Sequence, residues 1–240
     1  MNYISTPNLP KGKVTLFIAD TKIEGLPVIP PAPLNKLPSV LKYHADLGIC
    51  LVSEKKAVCP PDSFEYYKEK LFTYGFEIIK GKTSLDCHYP DDSAYNVCIV
   101  GKKCFLNKNV CDKTLFDILT SEGYEILNVK QGYTKCSVCP VDENSIITAD
   151  VSIAKEAKKH GMDVLLISND GIELSGYNNG FFGGCCGLGA EDILLINGNI
   201  DVFSAGKSIK DFLNKKGIRV KSLKKGPLTD IGSIIPLMTQ

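Results

Sequence analysis

Read for its alternation of apolar and polar positions, the chain repeats one unit. Two short apolar runs flank a polar turn, a helical stretch follows, then a glycine, then a third apolar run. The first copy is GICLV, SEKK and AVC, a helix over 63–74, Gly75 and FEII. The second is NVCIV, GKK and CFL, a helix over 112–122, Gly123 and YEIL. The third is CSVCPV, DEN and SIIT, a helix over 152–160, Gly161 and MDVLLI. The fourth is DILLI, NGN and IDVF, a helix over 208–216, Gly217 and IRVK. Apolar runs joined by short polar turns read as hairpins. The helical stretches carry apolar residues at helical spacing, such as Leu115, Ile118 and Leu119, or Ile209, Phe212 and Leu213. Each ends at a glycine, which suits the left-handed cap position, and the next strand starts almost at once.

The four glycines are 48, 38 and 56 residues apart. A solenoid stacks repeats of near-constant length, so this irregular spacing points to a closed ring with loops of different length. A fifth unit is split between the ends of the chain. The segment 13–21 (KVTLFIADT) reads as a buried strand, the proline-rich stretch from Pro27 to Pro38 as an extended connection, and DIGSIIPL as the closing strand. The prediction is one α/β domain over 1–240, a five-bladed α/β-propeller of strand–strand–helix–strand units.

Composition narrows the function. Hydrophobic residues make up 44% of 240, enough for a sizeable core. With 28 basic and 27 acidic residues the net charge is +1, so no strong field favours nucleic acid or an anionic membrane as partner. No apolar run reaches the ~18–20 residues of a membrane span, and the N-terminal segment lacks the pattern of a signal peptide. Ten cysteines are many, but several lie inside apolar strand patterns, where Cys acts as a small hydrophobe. The expectation is free thiols in a reducing cytoplasm. No cofactor is expected: the glycines near residue 185 are not followed by Gly-Lys-Ser or Gly-Lys-Thr, so they form no phosphate loop.

Chemistry concentrates in a few segments. The stretch 177–198 (YNNGFFGGCCGLGAEDILLING) embeds Cys185 and Cys186 in glycines, which turn sharply and admit close approach. Its functional reading is a nucleophile at the mouth of a site, with Cys186 favoured over Cys185; its plain reading is a tight turn with inert thiols. His44 opens a strand in a His-x-Asp arrangement, where Asp46 can orient the imidazole. His160 falls at a helix C-terminus, where a cation suits the dipole. Asp91 and Asp92 precede the first strand of the second unit and can hold a cation, or serve as turn residues after Pro90. Asp230 holds a similar position in its unit. Cys136-x-x-Cys139 fits metal or redox chemistry only with a second suitably spaced pair. The adjacent Cys185 and Cys186 supply poor geometry for that, so both thiols of the motif read as lying along a strand, and no metal is expected.

Five strand–strand–helix–strand units resemble the pentein fold of the guanidino-group-modifying enzymes. Residues 133–148 (YTKCSVCPVDENSIIT) are similar to a segment of dimethylarginine hydrolases that begins His-x-Lys-Ser, with Tyr133 in place of the histidine. Gly-Cys-Cys followed by LLIN resembles their next, cysteine-bearing segment, although strict spacing back from Asn197 lands on Asp192. LTDIGSIIPL resembles the end of arginine deiminases, with Gly232 where their cysteine stands. YHADLGICLV echoes their His-x-Asp strand in a different repeat. The nearest branch is one described only by this fold.

The resemblance implies a central pore in which a cysteine attacks a guanidinium carbon, a histidine moves protons and carboxylates grip the planar cation. It nominates Cys186, Cys185, His44 and Asp46 for catalysis, and Asp92, Asp91, Tyr133 and Asp230 for binding a small cationic guanidino-type ligand. The alternative is a non-catalytic binding protein of the same fold, ribosome-associated or ligand-binding, because fold alone does not imply catalysis. A third reading is a metal-binding protein using the Cys136 and Cys185 regions. Oligomeric state is not legible.

Overall fold

The computed structural model describes residues 2–240. The chain begins with strands β1 (Asn2–Tyr3), β2 (Val14–Ile18) and β3 (Val28–Ile29). The first full unit has a helical turn α1 (Ala45–Gly48), strands β4 (Cys50–Leu51) and β5 (Lys56–Cys59), helix α2 (Phe64–Phe72) and β6 (Glu77–Lys80). The second has β7 (Cys98–Val100), β8 (Lys103–Leu106), α3 (Lys113–Ser121) and β9 (Glu125–Asn128). In the third, a helical turn α4 (Thr134–Ser137) leads into β10 (Val138–Asp142), β11 (Ser145–Thr148), α5 (Val151–Lys159) and β12 (Asp163–Leu166). The fourth has β13 (Cys186–Ala190), β14 (Ile193–Ile196), α6 (Gly206–Asn214) and β15 (Arg219–Ser222), and β16 (Ile235–Thr239) ends the chain.

Each unit makes its own three-stranded sheet in which the first two strands pair antiparallel and the second and third pair parallel. The helix between them is the crossover that a parallel pair requires. The two chain ends complete a fifth sheet of the same plan. There β16 pairs antiparallel with β2, and β2 pairs parallel with β3. The split unit therefore exists, with β3 inside the proline-rich connection and no helix between β2 and β3.

The helices form for the reasons their sequences state. Asp112 caps α3 by accepting from Leu115 N, and Asp150 caps α5 by accepting from Ser152 N and Ile153 N. Each helix buries one face: Leu115 and Leu119 in α3, Ile153 and Ala157 in α5, Ile209 and Leu213 in α6. Each fully buried Leu or Ile contributes about 2 kcal/mol over its exposed state. Gly75, Gly123, Gly161 and Gly217 all stand at φ between 73° and 77°, the left-handed stop that lets the chain turn back into the third strand.

The fourth unit departs from the expected register. The run DILLI is its second strand, not its first, and IDVF is largely a single 3-10 turn, Ile200–Val202. The first strand is the glycine-rich Cys186–Ala190, which carries no continuous apolar signature. Its glycines answer to space: a Cβ on Gly187 would lie 1.8 Å from the carbonyl oxygen of Ile234, and one on Gly189 2.7 Å from Leu195. Close backbone approach demanded glycine and erased the hydrophobic pattern. No helix among the described residues is long and apolar enough to cross a membrane.

Candidate functional site

The segments that lead into the first strand of each sheet converge. They carry His44 and Asp46 ahead of β4, Asp92 and Asn96 ahead of β7, and Tyr133 to Cys136 ahead of β10. Phe181 to Cys185 precede β13, and Asp230 to Ser233 precede β16. Buried polar groups knit them together. Asn96 Nδ2 donates to the Asp46 carbonyl at 3.1 Å and to Cys136 Sγ at 3.0 Å, while its Oδ1 accepts from Lys135 N at 2.7 Å. Cys136 Sγ donates to Asp46 Oδ2 at 3.1 Å. Ser233 Oγ donates to the same oxygen at 2.6 Å and accepts from Lys135 Nζ at 3.1 Å. Burial works against the Lys135 ammonium, but neighbouring Cys98 and Asp46 outweigh it and hold its pKa above the ordinary lysine value.

Beside this network lies a cavity of about 140 Å³. His44, Tyr133, Cys136, Phe181 and Asp230 line it, with Tyr177 at its rim. The aromatic wall is continuous: the Tyr133 and Phe181 rings are 5.9 Å apart, and Tyr89 stands 5.3 Å from Tyr133. Asp230 accepts from Phe181 N at 2.8 Å and from Gly232 N at 3.0 Å. His44 Nδ1 lies 3.9 Å from its carboxylate. Burial pushes the Asp230 carboxyl above the ordinary aspartate range, despite His44 and those two amides. Tyr133 OH donates a short hydrogen bond to Asp92 Oδ2, and Asp92 Oδ1 has no partner. Burial raises Asp92 as well, against that hydrogen bond. The Tyr133 phenol is pushed up by its own burial and by the Asp92 carboxylate.

The structure redistributes the residues nominated from sequence. His44, Tyr133 and Asp230 line the cavity, and Asp92 stands directly behind Tyr133. Asp46 is buried in the adjoining network, where it meets Cys136 and Ser233; the carboxylate facing His44 is Asp230, four sheets away in sequence order. Asp91 is exposed at the surface turn and takes no part. Cys185 ends the 3-10 turn before β13, Cys186 opens that strand instead of preceding it, and neither lines the cavity. Both are fully buried in an apolar cluster with Phe182, Leu188 and Ile196. Their thiols donate to the carbonyls of Phe181 and Phe182, each at 3.3 Å. Burial pushes the Cys185 thiol far above its usual value. Asp192 lies on the surface, paired with Arg219 at 2.8 Å.

The thiol on the cavity is Cys136, which sits in the helical turn α4 and not along a strand; only Cys139 lies on β10, facing the apolar core. No group of three or more His, Cys, Asp or Glu is arranged to hold a metal among the described residues. Burial, with Asp46 and Asp230 next, holds Cys136 far above an ordinary thiol, so it is protonated and donating in this state. Sequence reasoning weighs Cys136 only as a metal or redox ligand and reads it along a strand, and it does not single out Asn96, Lys135 or Ser233. A positional signal exists: all four stand two or three residues before the first strand of their unit, closer to it than His44 and Asp92, which each precede theirs by six.

Gly232 explains one departure from the arginine deiminase pattern. Its φ is +71°, and a Cβ there would lie 2.3–2.6 Å from the Cα, Cβ and Cγ of His44. With His44 packed here, a cysteine at this position has no room.

The fold matches solved structures over most of its length. A dimethylarginine hydrolase (DDAH) from Pseudomonas aeruginosa, complexed with citrulline, superposes with a TM-score of 0.52 at 10% identity, over 88% of this chain and 92% of that one. A dimethylarginine dimethylaminohydrolase captured as an adduct with a chloropyridine gives 0.53 at 10% identity, over 87% and 92%. Agmatine deiminase from C. jejuni gives 0.51 at 14% identity, over 87% and 76%. At these identities the likeness is one of fold alone. No curated protein matches the chain in sequence. Residues 17–235 match the model of DUF6873, a family of unknown function, and the chain belongs to that family.

Proposed function

We propose that the five sheets stand as blades around a common axis, and that the cavity at their convergence binds a small guanidino or amidine cation and processes it through a covalent adduct at Cys136. The observation that carries this reading is the cavity's composition. A thiol, an imidazole, a buried carboxylate and two aromatic faces reach it from four separate segments. Aromatic faces and carboxylates suit a planar, weakly hydrated cation. A bound cation also lowers the pKa of a neighbouring thiol, offsetting the burial that keeps Cys136 protonated.

In the proposed reaction Cys136 gives its proton to Asp46 and its sulfur bonds to the guanidinium carbon. The carbon–nitrogen bond to one amine breaks, and that amine leaves with a proton from His44. Water then attacks the carbon and gives one proton to His44, restoring it. The carbon–sulfur bond breaks and the sulfur takes back the proton held by Asp46. The ureido product forms as the water-derived hydroxyl loses its remaining proton to solvent. Attack by a second amine in place of water would make the reaction an amidino transfer. Asp230 holds the cation, and Tyr133 with Asp92 closes the opposite wall. The test is incubation with arginine-like guanidines while assaying ureido product, alongside chloroacetamidine labelling mapped by mass spectrometry. Turnover and labelling at Cys136, both lost in Cys136→Ala, support the proposal. Turnover that persists in Cys136→Ala ends it.

A second reading, binding without chemistry, is favoured by one observation: burial, and after it the neighbouring carboxylates, raise the Cys136 pKa, which opposes a nucleophile. Ligand binding with no turnover and no labelling at any pH selects it. Co-sedimentation with ribosomal subunits tests its ribosome-associated form.

A further inference from the structure

The cavity does not end at Tyr177. An open groove of about 670 Å³ runs along residues 171–179 and past Pro227 and Thr229. Leu174, Tyr177 and Asn179 line both spaces. A ligand with its head at Asp230 therefore extends past Tyr177 into the groove, and the groove's chemistry selects the tail.

That chemistry is one-sided. No lysine, arginine or histidine lines the groove, and Glu173 is its single charged lining residue. The backbone of Glu173 is held firmly: its N–H donates to Leu228 O at 2.8 Å, and its carbonyl accepts from Asp230 N at 3.0 Å. Its carboxylate makes no hydrogen bond or ion pair among the described residues, and the residue is exposed and lines the groove. Two cations beside the inner cavity and the chain's arginine are engaged elsewhere. Arg219, the chain's single arginine, pairs with Asp192 on the surface. Lys135 is buried and donates to Ser233. His44 faces Asp230.

Resting on the guanidino reading above, we infer that the ligand is a guanidinoalkylamine without a carboxylate: a guanidinium head in the inner cavity and a distal ammonium facing Glu173. An amino-acid guanidine would bring its carboxylate beside Glu173 with no cation among the lining residues to receive it, and like-charge placement of this kind is how a site rejects a near analogue. The neutral lining groups Ser175, Asn178 and Thr229 supply hydrogen bonds that suit an ammonium or its hydration shell.

The experiment is calorimetric titration of the full chain at low salt with agmatine, butylguanidine, arginine, guanidinobutyrate and methylguanidine. Agmatine is expected to bind about tenfold more tightly than arginine or guanidinobutyrate, with butylguanidine between them. Glu173→Gln is expected to bring agmatine down to the butylguanidine value and leave butylguanidine unchanged. Arginine or guanidinobutyrate binding as tightly as agmatine overturns the inference, as does an unchanged agmatine preference in E173Q; the guanidino site survives both results. Failure of all five compounds to bind overturns the guanidino site itself, and this inference with it.

Discussion

The third and fourth units place a cysteine-bearing loop at the same point, just ahead of their first strand, and use it oppositely. In the third, Tyr133–Cys136 turns its side chains toward polar neighbours: Asn96 donates to the sulfur and Asp46 accepts from it. In the fourth, Phe181–Cys186 folds its two thiols back onto its own carbonyls inside an apolar cluster. The glycines that make the fourth loop conspicuous in sequence serve packing. A Cβ on Gly184 would sit 2.0 Å from Asp230 Oδ1, and one on Gly183 2.5–2.7 Å from the carbonyls of Val138, Cys136 and Lys135. The fourth loop is a thin wall against which the third loop and Asp230 are set. Density of reactive residue types marks neither loop as the site; the partners brought by other units do.

The sharpest way to break this comparison is labelling. Chloroacetamidine is expected to modify Cys136 and to lose about a hundredfold in rate in Cys136→Ala, with Cys185→Ala and Cys186→Ala unaffected. Modification of Cys186 ahead of Cys136, read by peptide mass spectrometry, would reverse the assignment. Next in size is the wall. Gly184→Ala drives a methyl into the Asp230 carboxylate and is expected to cost about 2–4 kcal/mol in urea unfolding and to abolish ligand binding. Gly123→Ala, with open space but φ +77°, should cost only about 1 kcal/mol and leave binding intact. Equal effects would mean the wall is not held tightly.

Smaller effects sharpen the electrostatic side. Asp46→Asn leaves the Cys136 thiol facing an amide and is expected to destabilise by about 1–3 kcal/mol. Cys186→Ala removes a buried sulfur from the apolar cluster and should cost about 1–2 kcal/mol without changing ligand affinity. The pH dependence follows from Asp230 and Asp92, both raised by burial. A carboxyl whose folded pKa lies above its unfolded value holds its proton more tightly when folded. Its contribution to stability is therefore complete at low pH and declines as pH rises from the ordinary aspartate range through the folded pKa. Guanidinium binding runs the other way, because it needs the ionised carboxylates. Affinity is expected to climb with pH to a midpoint above the ordinary 3.8 of aspartate, and a midpoint at or below that value would remove Asp230 from the site.

Much of the architecture was legible because it is local. The apolar runs, the helical spacing of Leu115 and Leu119, and the four glycine stops each depend on neighbours within a few residues, and in the first two units each appears where expected. The fourth unit slipped by one strand because Gly187 and Gly189 answer to Ile234 and Leu195, contacts that a local pattern does not record. The site was half legible. Asp92 and Asp230 are selectable from their place ahead of a strand and Tyr133 from the family resemblance, whereas His44, read as opening a strand, instead precedes the helical turn α1.

What the sequence determined by itself is a unit and its repetition, down to the split of the fifth sheet between the two ends of the chain. What only the tertiary structure decided is direction. His44 faces Asp230 across 186 residues of sequence, where Asp46, two residues away, had been expected. Cys136 faces the cavity and Cys186 the core. Hydrophobic periodicity is a property of one segment and survives in its own letters. The orientation and ionisation of a buried side chain are set by what other segments place beside it, and here those segments come from every part of the chain.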